Sequence, residues 1–548
     1  MYIKGYKIDN RYVLANSLGR GSFGEVWSAY DEVEKKEIAI KICKAALIAD
    51  DEEEREKAVR RFRDEISLMK RARSSYMVEI LDYGKDKETV PPHAWYYYIV
   101  MEKMEGTLAD ALQKLRSENK EGLKLEDFFR YAECCLLGLA DLHKKGIIHR
   151  DIKPSNLFFN KQNIIKIGDL GIARLSERTR QTQTMFGTVG YAAPELFVHK
   201  EQANEKSDIF SLGIAFYEML TLRHPCSDKG AFYLSKETIR RMVSADFYPI
   251  YEIRSNLPEA LARLIQAMIA FKPEERPVAS EHVLQQIQKI RRQLAEFHFH
   301  NAQESLRKNQ YNQAIQSLLQ SASMTTDSSD AYNQIGLVYY NQKNYEKAIE
   351  YFSKSLYIKK DKGAYTNRGL CQYYLQKYDE AIADFSKAIQ IDPKFADAYN
   401  NRGLAYHKKK EYYRALQNFH RTLALRANDA RAYNNRGMTY SEQGEYDKAI
   451  IDFSRSIKIQ PRDPESYFNR GLAYRHKKLF EQAIIDFSKA LECDSQDVYS
   501  YYQRALIYQK LGNYKKALSD YQEAALLRPE NTKLQKGILY CKEKLQPR

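Results

Sequence analysis

The chain lacks most of the features that would direct it out of a cell or into a membrane. Its seven cysteines are odd in number and include no CxxC pair and no metal-ligand spacing. That gives no sign of a disulfide framework or a cysteine-built zinc site and fits reduced thiols. The opening stretch "MYIKGYKIDNRYVL" alternates polar and apolar residues and has no apolar core of the signal-peptide kind. The most apolar run, "IFSLGIAFYEML" at 209 to 220, is interrupted by Glu218. It falls short of the roughly 20 residues a membrane span needs. These absences predict a cytoplasmic protein with no membrane span, and an effector exported into a host would share them. A long basic tract is missing too, although the net charge is +15 and the pI near 9.1. Lys and Arg are interleaved with Asp and Glu, so the charge reads as solvated helix faces and no nucleic-acid partner is expected.

What is present divides the chain in two, as 548 residues would suggest. The C-terminal part repeats itself: "AYTNRGLCQYY", "AYNNRGLAYH", "AYNNRGMTYS" and "SYFNRGLAYR" place Gly369, Gly403, Gly437 and Gly471 34 residues apart. Small residues follow twelve positions later, at Ala381 and Ala415, and Pro393, Pro461 and Pro529 close three of the units. The pattern is a helical hairpin repeat and closely resembles the tetratricopeptide repeat. It covers 294–531, with a degenerate first unit, a second unit around Gly336 one residue shorter, and a polar capping helix over 532–548.

Two ladders run through these repeats. An amide precedes each marker by two positions, including Asn367, Asn401, Asn435 and Asn469. In the family this position lies on the concave surface, which makes these four a candidate peptide groove; bonding between neighbouring helices is the equal alternative. The second ladder is Arg368, Arg402, Arg436, Arg470 and Arg504, answered by Asp384, Asn418, Asp452, Asp486 and Asp520. The unit without Arg has Ile335, and Tyr351 replaces its partner. Arginine and polar partner come and go together, which predicts an internal pair rather than a ligand site.

The N-terminal part carries chemistry. "GRGSFGEV" offers Gly19, Gly21 and Gly24 for close backbone approach to a phosphate, and "IAIK" places Lys41 on a predicted strand. Glu65 in "RFRDEISLMK" can hold that ammonium. "HRDIKPSN" sets Asp151, Lys153 and Asn156 in one loop, and "IGDLG" adds Asp169. Phosphoryl transfer needs such a set: metal-bridged phosphates, a positioned hydroxyl and compensated charge.

In this order the motifs resemble those of the eukaryotic-like serine/threonine protein kinases over residues 10 to about 293, essentially the whole of a domain placed at 1–293. The resemblance implies an α+β bilobal kinase domain, with a small lobe at about 1–104 and a large lobe at 105–293, ahead of an all-α repeat solenoid. It implies ATP with Mg²⁺, or Mn²⁺ in its place. It further implies that Asp151 accepts the substrate hydroxyl's proton, Lys153 meets the transferred phosphate, and Asn156 and Asp169 bind metal. Val26, Ala39, the gatekeeper Met101, the Glu102 carbonyl and the Met104 amide would surround adenine. Glu195 is expected to pair with Arg276, and Asp208 in "SDIFSLG" to support the catalytic loop. "DLG" replaces the commoner "DFG" without losing the aspartate. Arg150 before Asp151 suggests control by activation-segment phosphate, with Thr182 and Thr184 the expected sites.

The function expected is a serine/threonine kinase whose repeats recruit a protein substrate or partner; the alternative is a nucleotide-binding scaffold. From Val278 to Ile335 there is neither Gly nor Pro, which predicts a stiff helical connection that fixes the solenoid's orientation.

Overall fold

The computed structural model describes residues 4–21, 24–43, 60, 63, 66–87, 95–170, 190–198, 202–227, 236–244 and 246–546. Contact density divides the chain into Met1–Phe297 and His298–Arg548. Glu65, Thr182 and Thr184 lie outside the described residues.

The first unit opens with a six-stranded antiparallel sheet in the order β1-β2-β3-β4-β6-β5. Its strands are β1 (Lys7–Ile8), β2 (Tyr12–Gly21), β3 (Gly24–Asp31), β4 (Lys36–Cys43), β5 (Ile80–Lys87) and β6 (Trp95–Glu102). Alternation along β4 explains its two faces. Ile38, Ile40 and Ile42 are fully buried in a core with Tyr12, Tyr96 and Tyr98, which leaves Ala39 and Lys41 on the opposite face. A small second sheet joins β7 (Gly106–Thr107), β8 (Leu157–Phe159) and β9 (Ile165–Ile167).

The other described elements of this unit are mainly helices. The principal ones are α1 (Leu108–Ser117), α2 (Leu125–Lys144), α3 (Glu205–Thr221) and α4 (Glu259–Met268). Every residue of α3 from Ser207 to Thr221 is buried, which accounts for the apolar run in its sequence: it is a core helix hydrophobic all round. Among the described residues, no helix is long and apolar enough to cross a membrane. Gly213 lets α3 meet α4 closely, since a Cβ there would stand 2.8 Å from the Cβ of Met268.

Glu218 is the exception within α3. Burial raises its carboxyl to about 7, although Arg116, 3.7 Å away on α1, and the Tyr191 hydroxyl, which donates to it at 2.9 Å, both act downward. An acid whose folded pKa lies above the ordinary 4.5 stabilises the fold fully below that value and loses the contribution as pH rises through about 7. Glu218→Gln is therefore expected to flatten stability between pH 5 and 8 and to melt above the parent at pH 8. Thermal melts of both proteins across that range check the sign.

The helix α5 (Ser280–Arg307) runs on without interruption past Phe297. In the second unit, Tyr311–Ser323 is followed by six helix pairs and a last helix, Thr532–Leu545. The pairs are Ser329–Asn341 with Tyr345–Ile358, Lys362–Tyr374 with Tyr378–Ile391, Ala396–Lys408 with Tyr412–Leu425, Ala430–Glu442 with Tyr446–Ile459, Pro464–His476 with Phe480–Cys493, and Val498–Lys510 with Tyr514–Leu527. Each marker glycine receives the phenylalanine of its partner helix. A Cβ on Gly403 or Gly437 would stand 2.7 Å from the ring of Phe419 or Phe453. That is nearer than any real Cβ contact, so the ring seats only on a glycine.

The arginine ladder is internal. Arg368, Arg436, Arg470 and Arg504 each make a two-pronged pair with Asp384, Asp452, Asp486 and Asp520, with every N···O distance 2.7 or 2.8 Å. The third nitrogen reaches back to a serine of the preceding hairpin in three of these, Arg368 to Ser353, Arg470 to Ser454 and Arg504 to Ser488. Where Arg is absent, Ile335 is fully buried and Tyr351 stacks on Tyr339 instead.

Candidate functional site

The site is built on the face of β4 that the isoleucine core leaves over. Register places Lys41 opposite Val26 of β3 and Ile99 of β6, and Ala39 opposite Ser28 and Met101. Ala39 and Met101 are buried, and Met101 packs with Ile66, Ile99, Val78 and Ile80. The β2–β3 turn pairs Gly19 with Val26 and Gly21 with Gly24, and Gly24 has φ +152°. Among the described residues, and apart from its chain neighbours, no atom lies within 4 Å of where a Cβ on Gly19 would stand. The space beside this glycine is open, and packing does not explain its lack of a side chain.

Lys41 reaches across to Asp169, with Nζ donating to Oδ1 at 2.9 Å. The Lys41 charge lowers the Asp169 carboxyl despite burial, so Asp169 is anionic at neutral pH. Asp169 and Arg150 both take the left-handed conformation, at φ 51° and 69°. Such strain persists only where surrounding bonds hold it.

Those bonds can be named. His149, at 0% exposure, contacts the Gly168 carbonyl through Nε2 at 3.0 Å and receives the Asp151 N–H on Nδ1 at 3.3 Å. A carbonyl only accepts, so the proton sits on Nε2. Burial lowers the His149 pKa and keeps the ring neutral. The Gly168 N–H donates to the Asn156 carbonyl at 2.9 Å. The Asp151–Asn156 loop and the Asp169 loop are therefore fastened at two points. A Cβ on Gly168 would strike the Phe158 ring at 2.8 Å.

Below the loop, Asp208 takes the N–H groups of His149 and Arg150, both at 2.8 Å, and contacts His143 Nε2 at 3.0 Å. Within the loop, Lys153 and the Asn156 amide nitrogen donate to Asp151 Oδ2 at 2.9 and 3.1 Å, and the same nitrogen donates to the Asp151 carbonyl at 2.7 Å. The Asn156 amide is thereby turned so that its oxygen keeps its acceptor capacity. That oxygen and the Asp169 carboxylate are both hard oxygen donors of the kind that suits Mg²⁺. The donor chemistry fits a divalent cation completed by phosphate oxygens.

Glu195 and Arg276 meet as the sequence suggested, in a two-pronged pair at 2.8 Å with both side chains 0–1% exposed. Burial would raise the Glu195 carboxyl, but Arg276 outweighs it and the pKa falls. At the end of β6, the Glu102 side chain accepts from Lys166 at 2.6 Å and from the Glu79 N–H at 2.8 Å. No sequence signal ties these three, because the partners are 64 and 23 residues away. Among the described residues, the Met104 N–H enters no backbone hydrogen bond.

In the repeats, the candidate groove amides behave differently from one another. Asn435 donates to Asn400 at 3.0 Å and Asn469 to Asn434 at 3.1 Å, so these two bond between neighbouring units. Asn367 and Asn401 are half-buried.

Residues 12–287 match the model of the protein kinase domain. Residues 329–362, 430–463, 464–497 and 498–531 match the tetratricopeptide repeat, and 369–410 match a TPR repeat model. The chain is similar to a probable serine/threonine-protein kinase of Clostridium acetobutylicum, 30% identical over 289 residues, which are 52% of this chain and 41% of the relative. It is also similar to the serine/threonine-protein kinase Nek4 of Mus musculus, 34% identical over 267 residues (48% and 31%). Serine/threonine-protein kinase A of Synechocystis sp. is 31% identical over 302 residues (51% and 53%). The chain thus spans between 31% and 53% of the length of these three relatives.

Proposed function

Since the chain belongs to the protein kinase family and carries tetratricopeptide repeats behind its kinase domain, we propose that it transfers the γ-phosphate of ATP to serine and threonine hydroxyls of proteins. The observation that carries this is the convergence of Lys41 on Asp169, and of Lys153 and Asn156 on Asp151, in two loops fastened through His149.

In this reading, Gly19, Gly21, Gly24 and Val26 cover the triphosphate and the adenine. Ala39 and Met101 bound the base, and the Glu102 carbonyl and Met104 N–H bond its edge. Asn156 and Asp169 hold Mg²⁺, or Mn²⁺ in its place. Bound there, the cation would offset the charge of the triphosphate. Asp151 orients the attacking hydroxyl and takes its proton as the new O–P bond forms and the γ-phosphate's bond to the β-phosphate oxygen breaks. Lys153 offsets charge on the group in transit. Similar proteins are named serine/threonine kinases, which supports the choice of acceptor. The repeats supply the protein-binding element, and Thr182 and Thr184 are the proposed sites of control.

The test is phosphate incorporation from labelled ATP and Mg²⁺ into the full chain and a generic protein substrate, beside Lys41→Met, with the modified residues mapped by mass spectrometry. Incorporation on serine and threonine, Thr182 and Thr184 among them, is expected from the parent and not from the variant. Nucleotide binding without incorporation would favour a scaffold.

A further inference from the structure

One rung of the arginine ladder is built differently. In the helix pair Ala396–Lys408 and Tyr412–Leu425, Asn418 stands where four other rungs have aspartate. Arg402 Nε donates to Asn418 Oδ1 at 2.9 Å and Nη1 to the Ser386 hydroxyl at 2.9 Å. The Asn418 amide nitrogen donates to the Arg414 carbonyl at 2.8 Å, which fixes the amide's orientation. That nitrogen is a donor and cannot take the second guanidinium prong. On the four aspartate rungs, Nη2 has a carboxylate oxygen at 2.7 or 2.8 Å. Arg402 Nη2 has no acceptor among the described residues.

The surroundings add positive charge, and among the described residues no carboxylate pairs with Arg402 or Arg421. Arg402 lies 5.5 Å and Arg421 5.9 Å from the centre of the Tyr399 ring, and Arg421 is exposed. The rungs on either side also gather two cations at one tyrosine, Arg368 and Lys387 at Tyr365, and Arg436 and Arg455 at Tyr433. Each of those sets two cations against one aspartate. At Tyr399 two cations meet none. Burial lowers the Arg402 pKa, with only Tyr406 and Tyr399 acting against it, whereas all four aspartate-paired arginines are raised. Arg402 Nη2 is not among the buried polar atoms left without a partner, so this prong faces solvent and is open to an acceptor from outside.

We propose that Arg402, Arg421 and Tyr399 form a receptor for one anionic side chain of a protein partner, a carboxylate or a phosphate, which completes the fork that Asn418 leaves half filled. This rests on the reading of the repeats as a protein-binding array and gives it a chemistry. The guanidinium supplies the planar N–H edge, Arg421 supplies the second charge, and the tyrosine ring walls the site.

The variant that tests it adds a group. Asn418→Asp offers Arg402 the internal carboxylate of its neighbours, so it is expected to raise the melting temperature of the full chain and to close the receptor. Three labelled peptides of glycine and serine, one with two adjacent glutamates, one with a phosphoserine and one uncharged, are titrated by fluorescence anisotropy. The parent is expected to prefer at least one anionic peptide by about tenfold. Asn418→Asp should abolish the preference, and Gln417→Asp, on the exposed neighbouring position, should keep it. Preference for phosphoserine alone identifies phosphate as the ligand, and for glutamate alone carboxylate. A preference that survives Asn418→Asp, or falls equally in Gln417→Asp, overturns the receptor. Equal measurable binding of all three peptides overturns it while leaving the array a peptide binder; no binding of any overturns both.

Discussion

Asp151→Asn is expected to lower the rate of phosphate incorporation by about 10²–10⁴-fold, the usual worth of a positioned acid or base, while leaving the affinity for ATP unchanged. The substitution keeps the size of the side chain and one acceptor oxygen, so Lys153 and Asn156 retain something to hold. It removes the negative charge and the basicity. None of the groups assigned to the nucleotide belongs to Asp151, which is why the loss falls on turnover. Steady-state kcat and KM for ATP, measured on a fixed protein substrate, separate the two. A variant within about tenfold of the parent would show that another group takes the proton.

Asp208→Ala is expected to be the most destabilising single change in the first unit. Its carboxylate, 1% exposed, is the acceptor for two loop N–H groups and a partner of His143. Removing it strands those donors where no water reaches them, each at about 1–3 kcal/mol, so a total of roughly 3–5 kcal/mol is expected. For a domain of this size, that is a fall of about 10 °C in melting temperature. Asp208→Asn keeps one acceptor oxygen and should fall between. The Asp208 partners His143, His149 and Arg150 all belong to the first unit, and the fall is expected in its transition. An alanine variant that melts with the parent would remove Asp208 from its supporting role.

Much of this architecture was legible because it is written locally or periodically. The order of Lys41, Asp151, Asn156 and Asp169 could be read because each sits in a short local motif of the protein kinase family. The spacing of Gly369, Gly403 and Gly437 is a statement about one hairpin repeated. The Arg–Asp pairing could be read because arginine and partner vary together across units. Three things were not legible. The contact of Lys41 with Asp169 depends on how a strand and a loop 128 residues apart come to rest, where the sequence named only Glu65 as the lysine's partner. The bonds from Asn435 to Asn400 and from Asn469 to Asn434 depend on the offset between neighbouring hairpins, which periodicity does not encode. Asn418 stood in the ladder as one polar partner among five. Its meaning emerged only when the geometry showed an aspartate taking two prongs and an amide taking one.

The glycine socket, the phenylalanine, the two-pronged aspartate and, on most rungs, the serine of the preceding hairpin to which the arginine reaches back form a closed set within 34 residues. Each unit brings both halves of the joint it needs, one facing backward and one facing forward. A duplication or deletion of one whole period therefore leaves no orphaned half behind, whereas a change of a few residues breaks two joints at once. The array can lengthen or shorten in whole periods over evolutionary time with little cost to its interior, and its inheritance is quantised by the same geometry that holds it together.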